Sequence, residues 1–174
     1  MPDYFYLGQT VEANILVANT GVGHNFPGGT IDINEAWVSI QVTDASGEQS
    51  SQAEIVSADG TVDPAAHFYR PGAVDRHGKQ PWRHDLFRMI GEHYRNVIPP
   101  GDTDSIPIKF EVPQWALGPL TVSAQLNYRK FTQRYASWVT GDENLRVPVV
   151  VMAQDSALLP TVVRPPTGKS SDSH

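Results

Sequence analysis

The nine residues Ala36-Trp37-Val38-Ser39-Ile40-Gln41-Val42-Thr43-Asp44 decide the fold class. Ala36, Val38, Ile40 and Val42 alternate with Trp37, Ser39, Gln41 and Thr43. Side chains point to opposite faces of a strand with period two, so this is a half-buried strand with one apolar and one mostly polar face. Trp37 falls on the polar face, where it stands exposed or is covered by a partner. Asp44-Ala45-Ser46-Gly47 ends the strand with turn chemistry.

The same period recurs outward from this segment. Gln9–Asn19 places Val11, Ala13, Ile15 and Val17 on one face. Ser105–Val112 alternates Ile106, Ile108, Phe110 and Val112, and Pro107 marks an edge position or a bulge. Leu120–Tyr128 carries Val122, Ala124, Leu126 and Tyr128 on one side. Leu145–Met152 reads as the last strand, with an apolar run at Val147–Met152. Gln52–Ala58 is a short strand, and Asp59-Gly60 is a hairpin turn. The spacing predicts an all-β fold, an immunoglobulin-like antiparallel β-sandwich within residues 1–159. A long irregular insertion interrupts it at about 63–97, with room for one short helix near His84–Ile90. Residues 160–174, rich in Pro, Ser and Lys, read as a flexible tail.

Composition narrows the function classes. The 174 residues suffice for one domain with a real core. A net charge of -6 with scattered basic residues argues against a nucleic-acid surface. No apolar run is long enough for a membrane-spanning segment. Cysteine is absent, which excludes disulfides, thiolate metal sites and covalent haem attachment within this chain. Met1-Pro2-Asp3 does not open a signal peptide, so the chain reads as cytoplasmic or as a piece of a longer exported protein.

One compact motif stands out: Asn19-Thr20-Gly21-Val22-Gly23-His24-Asn25-Phe26-Pro27-Gly28-Gly29-Thr30, between two strands. Glycine admits a close neighbour, and Pro27 stiffens the loop and biases Phe26 to an extended backbone. The loop therefore aims one imidazole, His24. Asp32, Asn34 and Glu35 follow closely, with Asp32 and Asn34 on one face and Glu35 on the other, and an imidazole near two oxygen ligands is a candidate divalent-metal site. The other reading is that His24 and Asp32 satisfy loop backbone. His67, His77, His84 and His93 lie in the irregular segment, and three of them converging would make an open zinc or copper site. Salt-bridged surface loops are the competing account. No Gly-x-Ser-x-Gly elbow or phosphate loop is present. Trp37, Trp82, Trp115 and Trp138 leave a carbohydrate-binding or adhesion module open, against ordinary core or interface roles. Leu126-Asn127-Tyr128-Arg129-Lys130-Phe131 is either a docking edge or a sheet end with snorkelling cations.

The Gly21–Thr30 motif is followed in order by Asn34-Glu35-Ala36-Trp37, Asp44-Ala45-Ser46-Gly47, Asp75-Arg76-His77-Gly78, Ile98-Pro99-Pro100-Gly101 and Leu126–Phe131. Taken together these resemble the haem-free C-terminal β domain of exported multihaem c-type cytochromes, from about Gln9 to about Asp155. The resemblance implies a non-catalytic accessory domain that supports electron transfer by scaffolding or docking, in the periplasm or outside the cell. It implies haem c in a partner domain or subunit, with His24 as an axial ligand supplied in trans. Asp32 and Glu35 would orient the loop or bind a cation, and His77 and His84 are further ligand candidates. The alternatives are an independent metal-binding (zinc or copper) enzyme and a carbohydrate-binding module.

Overall fold

The computed structural model describes residues 4–30, 32–51 and 56–163. Its strands are β1 (Phe5–Tyr6), β2 (Thr10–Ala18), β3 (Glu35–Thr43), β4 (Gln49–Ser51), β5 (His67–Tyr69), β6 (Pro71–Val74), β7 (Gly91–Arg95), β8 (Thr103–Glu111), β9 (Leu120–Arg129), β10 (Val150–Leu159) and β11 (Thr161–Val162). Helix α1 spans Gln133–Thr140, and Leu86–Arg88 forms a 3₁₀ turn.

The principal sheet runs β10-β9-β3-β4, with β5 also paired to β3. All its pairings are antiparallel, and the β3–β9 ladder runs unbroken from Glu35↔Arg129 to Thr43↔Thr121. The antiparallel pair β2–β8 is the second layer. Between the layers lie Ala36, Val38, Tyr69, Ile98 and Ile106, with Ile15, Val17, Phe26, Ile40, Leu126 and Tyr128 against them. The core continues through Val11, Val42, Val112, Leu120 and Leu159. Each fully buried aliphatic side chain of this kind contributes roughly 1.5–3 kcal/mol. The all-β sandwich expected from the period-two pattern is therefore present, and Pro107 sits in the two-stranded layer opposite Asn14.

The polar face of β3 is the first departure from expectation. Trp37 is only 1% exposed and is covered by the chain itself, through Val62, Phe68 and Ala66. A buried ion pair lies beside it. Arg129 donates from Nε (2.7 Å) and Nη2 to Glu35 Oε2, and from Nη1 to the Gly60 carbonyl (2.7 Å). Gly60 is at φ 85°, and a Cβ there would meet Gln133 Oε1 at 2.7 Å, so the Ser57–Thr61 turn and α1 close over this face. Gln133 then holds the following segment by accepting from Val147 N–H (3.1 Å) and donating to Leu145 carbonyl (2.6 Å).

Other expectations change as well. The last strand begins at Val150, not Leu145, and runs to Leu159. It is an edge strand of the principal sheet, and Val150, Val151 and Met152 on it are exposed. The segment from 63 to 97 is not wholly irregular. It supplies β5 to the principal sheet and the β6–β7 ribbon, and the short helix near His84 shrinks to Leu86–Arg88 because β7 begins at Gly91. Helix α1 was not foreseen. Thr132 caps it by accepting from Tyr135 N–H (3.2 Å), and Gly141 ends it in the left-handed conformation. Pairing continues past residue 159, where β11 lies parallel to β1. Residues 52–55, part of the short strand expected at Gln52–Ala58, lie outside the described residues, as do 164–174 of the expected tail.

Asp44 locks the turn after β3. Its carboxylate accepts from Ser46 N–H and Oγ, Glu48 N–H and, across the fold, Leu117 N–H. The Ser46 hydroxyl first, then the Leu117 amide, holds the carboxyl below its ordinary 3.8, at about 2. A depressed folded pKa contributes stability that is present above 3.8 and lost as pH falls through about 2. Asp44→Asn should flatten the acid limb of a Tm-against-pH curve in that window. An unchanged limb would contradict this role. Arg129→Met strands Glu35 beside Trp37 and should cost about 3–5 kcal/mol in urea unfolding, whereas an Arg129→Met/Glu35→Leu double variant should recover most of it.

Candidate functional site

The His24 loop is held from both sides. Asn19, itself buried, donates from Nδ2 to the His24 carbonyl and to the Ile98 carbonyl, both at 2.9 Å. Phe26 exchanges two backbone hydrogen bonds with Ile98 at 2.8 Å, and its ring sits edge-on to Tyr69 at 5.9 Å. Asn34 Nδ2 donates to the Gly28 carbonyl (3.0 Å). An exposed loop is thus pinned to the core at three points of its backbone.

The imidazole of His24 is exposed, and its Nδ1 lies 2.8 Å from the Asn25 carbonyl. A carbonyl can only accept, so Nδ1 carries the proton. In the neutral ring Nε2 then presents a lone pair, and it has no hydrogen-bond partner among the described residues. Gly28 makes this pose possible. A Cβ at Gly28 would lie 2.7 Å from His24 Cε1 and Nδ1. Ring-nitrogen anchoring through a backbone carbonyl is the arrangement that metal-ligating histidines use to fix tautomer and orientation.

The other candidates do not join His24. Asp32 belongs to His84: both its carboxylate oxygens lie 3.0 Å from His84 Nδ1. Glu35 is committed to Arg129 in the interior. The metal site sketched from His24, Asp32 and Glu35 is therefore divided among three different places. His77 lies in the Asp75–Gly78 turn, where its Nε2 accepts from Arg76 Nε (3.2 Å). His67 donates from Nε2 to Asp104 (2.9 Å), and the Tyr69 hydroxyl donates to the same oxygen (3.0 Å). Burial first, and then Asp104, pushes the Tyr69 hydroxyl far above its usual range. His93 packs edge-on to Tyr94. Among the described residues no three His, Asp or Glu side chains converge as a metal ion requires.

Sequence reasoning missed one feature. Trp82, Trp138, Arg83 and Arg134 form a surface cluster, with Arg134 Cζ 3.8 Å from the Trp82 ring centroid and Arg83 Cζ 4.7 and 4.9 Å from Trp82 and Trp138. Half of it stands on α1, the helix that was not foreseen. Of the tryptophans offered for sugar stacking, Trp37 is buried and Trp82 is covered by this cluster.

No protein-family model matches the sequence, and no curated protein matches it. Among solved structures, the penta-heme cytochrome c552 from Thermochromatium tepidum matches with a TM-score of 0.60 at 20% identity. The match covers 86% of this chain and 36% of that one, so the chain spans about a third of the cytochrome's length. At that identity the likeness is one of fold.

Gly28 is the lever on His24. Gly28→Ala should drive the ring off the Asn25 carbonyl, and ¹⁵N histidine NMR should show the Nδ1–H tautomer of the native chain giving way to Nε2–H. Retention of the Nδ1–H tautomer would show that Gly28 does not set the pose.

Proposed function

We propose that this chain is the haem-free β domain of an exported multihaem c-type cytochrome, supporting electron transfer as a scaffold beside the haems. In this reading the sandwich follows an immunoglobulin-like plan, works in the periplasm or outside the cell, and supplies His24 to a haem carried by another domain or chain. The observation that carries the reading is the free, outward-facing Nε2 of His24, with Nδ1 tied to the Asn25 carbonyl. The fold shared with part of the penta-heme cytochrome supports it. So does the absence of cysteine, which leaves any haem c to be attached elsewhere.

The residues present fit an axial role. A haem bound there would supply the redox centre. The chain's own part is to hold the Nε2 lone pair in place, and Asn19, Phe26 and Asn34 do so by fixing the loop backbone. The hydrogen bond from Nδ1 to a carbonyl raises ligand basicity, one of the levers that set haem potential along with burial and ligand identity. Glu35, by contrast, acts on folding through Arg129.

In the haem-bearing assembly, His24→Ala should leave circular dichroism and Tm nearly unchanged while one haem loses its low-spin spectrum and shifts in potential. Visible and EPR spectra identical to the native assembly would refute His24 as a ligand.

A further inference from the structure

His84 repeats the His24 device with a stronger acceptor. Its Nδ1 faces both oxygens of Asp32 at 3.0 Å, and the Asp32 side chain is 7% exposed while that of His84 is 37% exposed. The carboxylate fixes the proton on Nδ1 and leaves Nε2 without a partner among the described residues. A buried carboxylate behind an accessible imidazole is the outer-shell arrangement of ligating histidines. The backbone of His84 is at φ 58°, the only non-glycine residue in the left-handed region among those described.

The surroundings specify what the imidazole would meet. Immediately before it, Arg83 lies over Trp82 and Trp138, and Arg134 over Trp82. Neither guanidinium has a carboxylate partner among the described residues, although Arg88, Arg95 and Arg129 all do. Just after it, Leu86 and Phe87 stand exposed, Phe87 fully. A ligand for this surface is flat and apolar, carries carboxylates, and offers a metal with an open position. A haem has all three properties.

We propose that His84, positioned by Asp32, is a second imidazole ligand for a haem carried by another domain or chain. Trp138, which is exposed, meets the macrocycle, and Arg83 and Arg134 meet its propionates. This rests on the haem-partner reading above but concerns a different histidine. Ligation forms a bond from Nε2 to iron and displaces the iron's sixth ligand, water, with no change in electron count.

The test titrates the purified chain with a ferric haem-c peptide that carries one histidine ligand and an open sixth position, following conversion to the low-spin spectrum. The native chain should bind two equivalents, and His24→Ala and His84→Ala one each. Asp32→Asn, which keeps an acceptor for Nδ1, should weaken the site retained in His24→Ala by about 10–100-fold. Arg134→Ala should weaken the same site and spare the one retained in His84→Ala. His77→Ala, whose ring nitrogen is already engaged, should change neither. Loss of all binding in His24→Ala, with His84→Ala native, would overturn the His84 proposal and leave His24 standing. Loss of all binding in His84→Ala alone would overturn His24 and support His84. An Asp32→Asn chain that binds like native would also overturn the positioning by Asp32.

Discussion

The contact on which the rest of the structure depends is the buried pair between Glu35 and Arg129. It joins the first residue of β3 to the last of β9, so it fixes the register of the central ladder. A slip of one residue would send every side chain of β3 to the wrong layer. The pair is costly to desolvate, and its geometry offsets that cost only because Arg129 also reaches the Gly60 carbonyl. That third bond draws the Ser57–Thr61 turn over Trp37 and brings Gly60 against Gln133 of α1. One ion pair thereby organises both the ladder and the cap on its outer face.

From that frame His24 and His84 are set in opposite ways. His24 is anchored by backbone: Asn19 spans from its carbonyl to Ile98, and the ring leans over Gly28 to the next carbonyl. His84 is anchored by a charged side chain, Asp32, that is itself nearly buried. In both, Nδ1 is the anchored nitrogen and Nε2 is the one presented. His67 shows the contrast, because there Nε2 is spent on Asp104 and the ring serves packing. Which nitrogen is tied, rather than the presence of histidine, separates the ligand candidates from the structural ones.

Most of the sandwich was legible because its strands are half-buried. Val11 to Val17, Ala36 to Val42 and Leu120 to Tyr128 alternate cleanly, and each faces the core as the pattern requires. The pattern failed where burial departs from it. Trp37 lies on the nominally polar face, yet Val62, Ala66 and Phe68, distant in sequence, cover it. Val150 to Met152 are apolar but sit on an outer strand, where a hydrophobic run does not report burial. Helix α1 had readable caps in Thr132 and Gly141, but it buries only Gln133 and Ala136, too few positions to mark an apolar helical face. The stiff loop that exposes the His24 ring was legible from its Gly and Pro residues. The pairing of Asp32 with His84 was not, since 52 residues separate them and no spacing rule links the two.

The central claim is that an imidazole of this chain bonds to haem iron. The most direct measurement is hyperfine spectroscopy on the low-spin ferric assembly, with only this chain labelled with ¹⁵N-histidine and the haem-bearing partner at natural abundance. The account predicts strong ¹⁵N coupling to iron that disappears when His24 and His84 are both replaced. Coupling to ¹⁴N alone in the labelled assembly would contradict it.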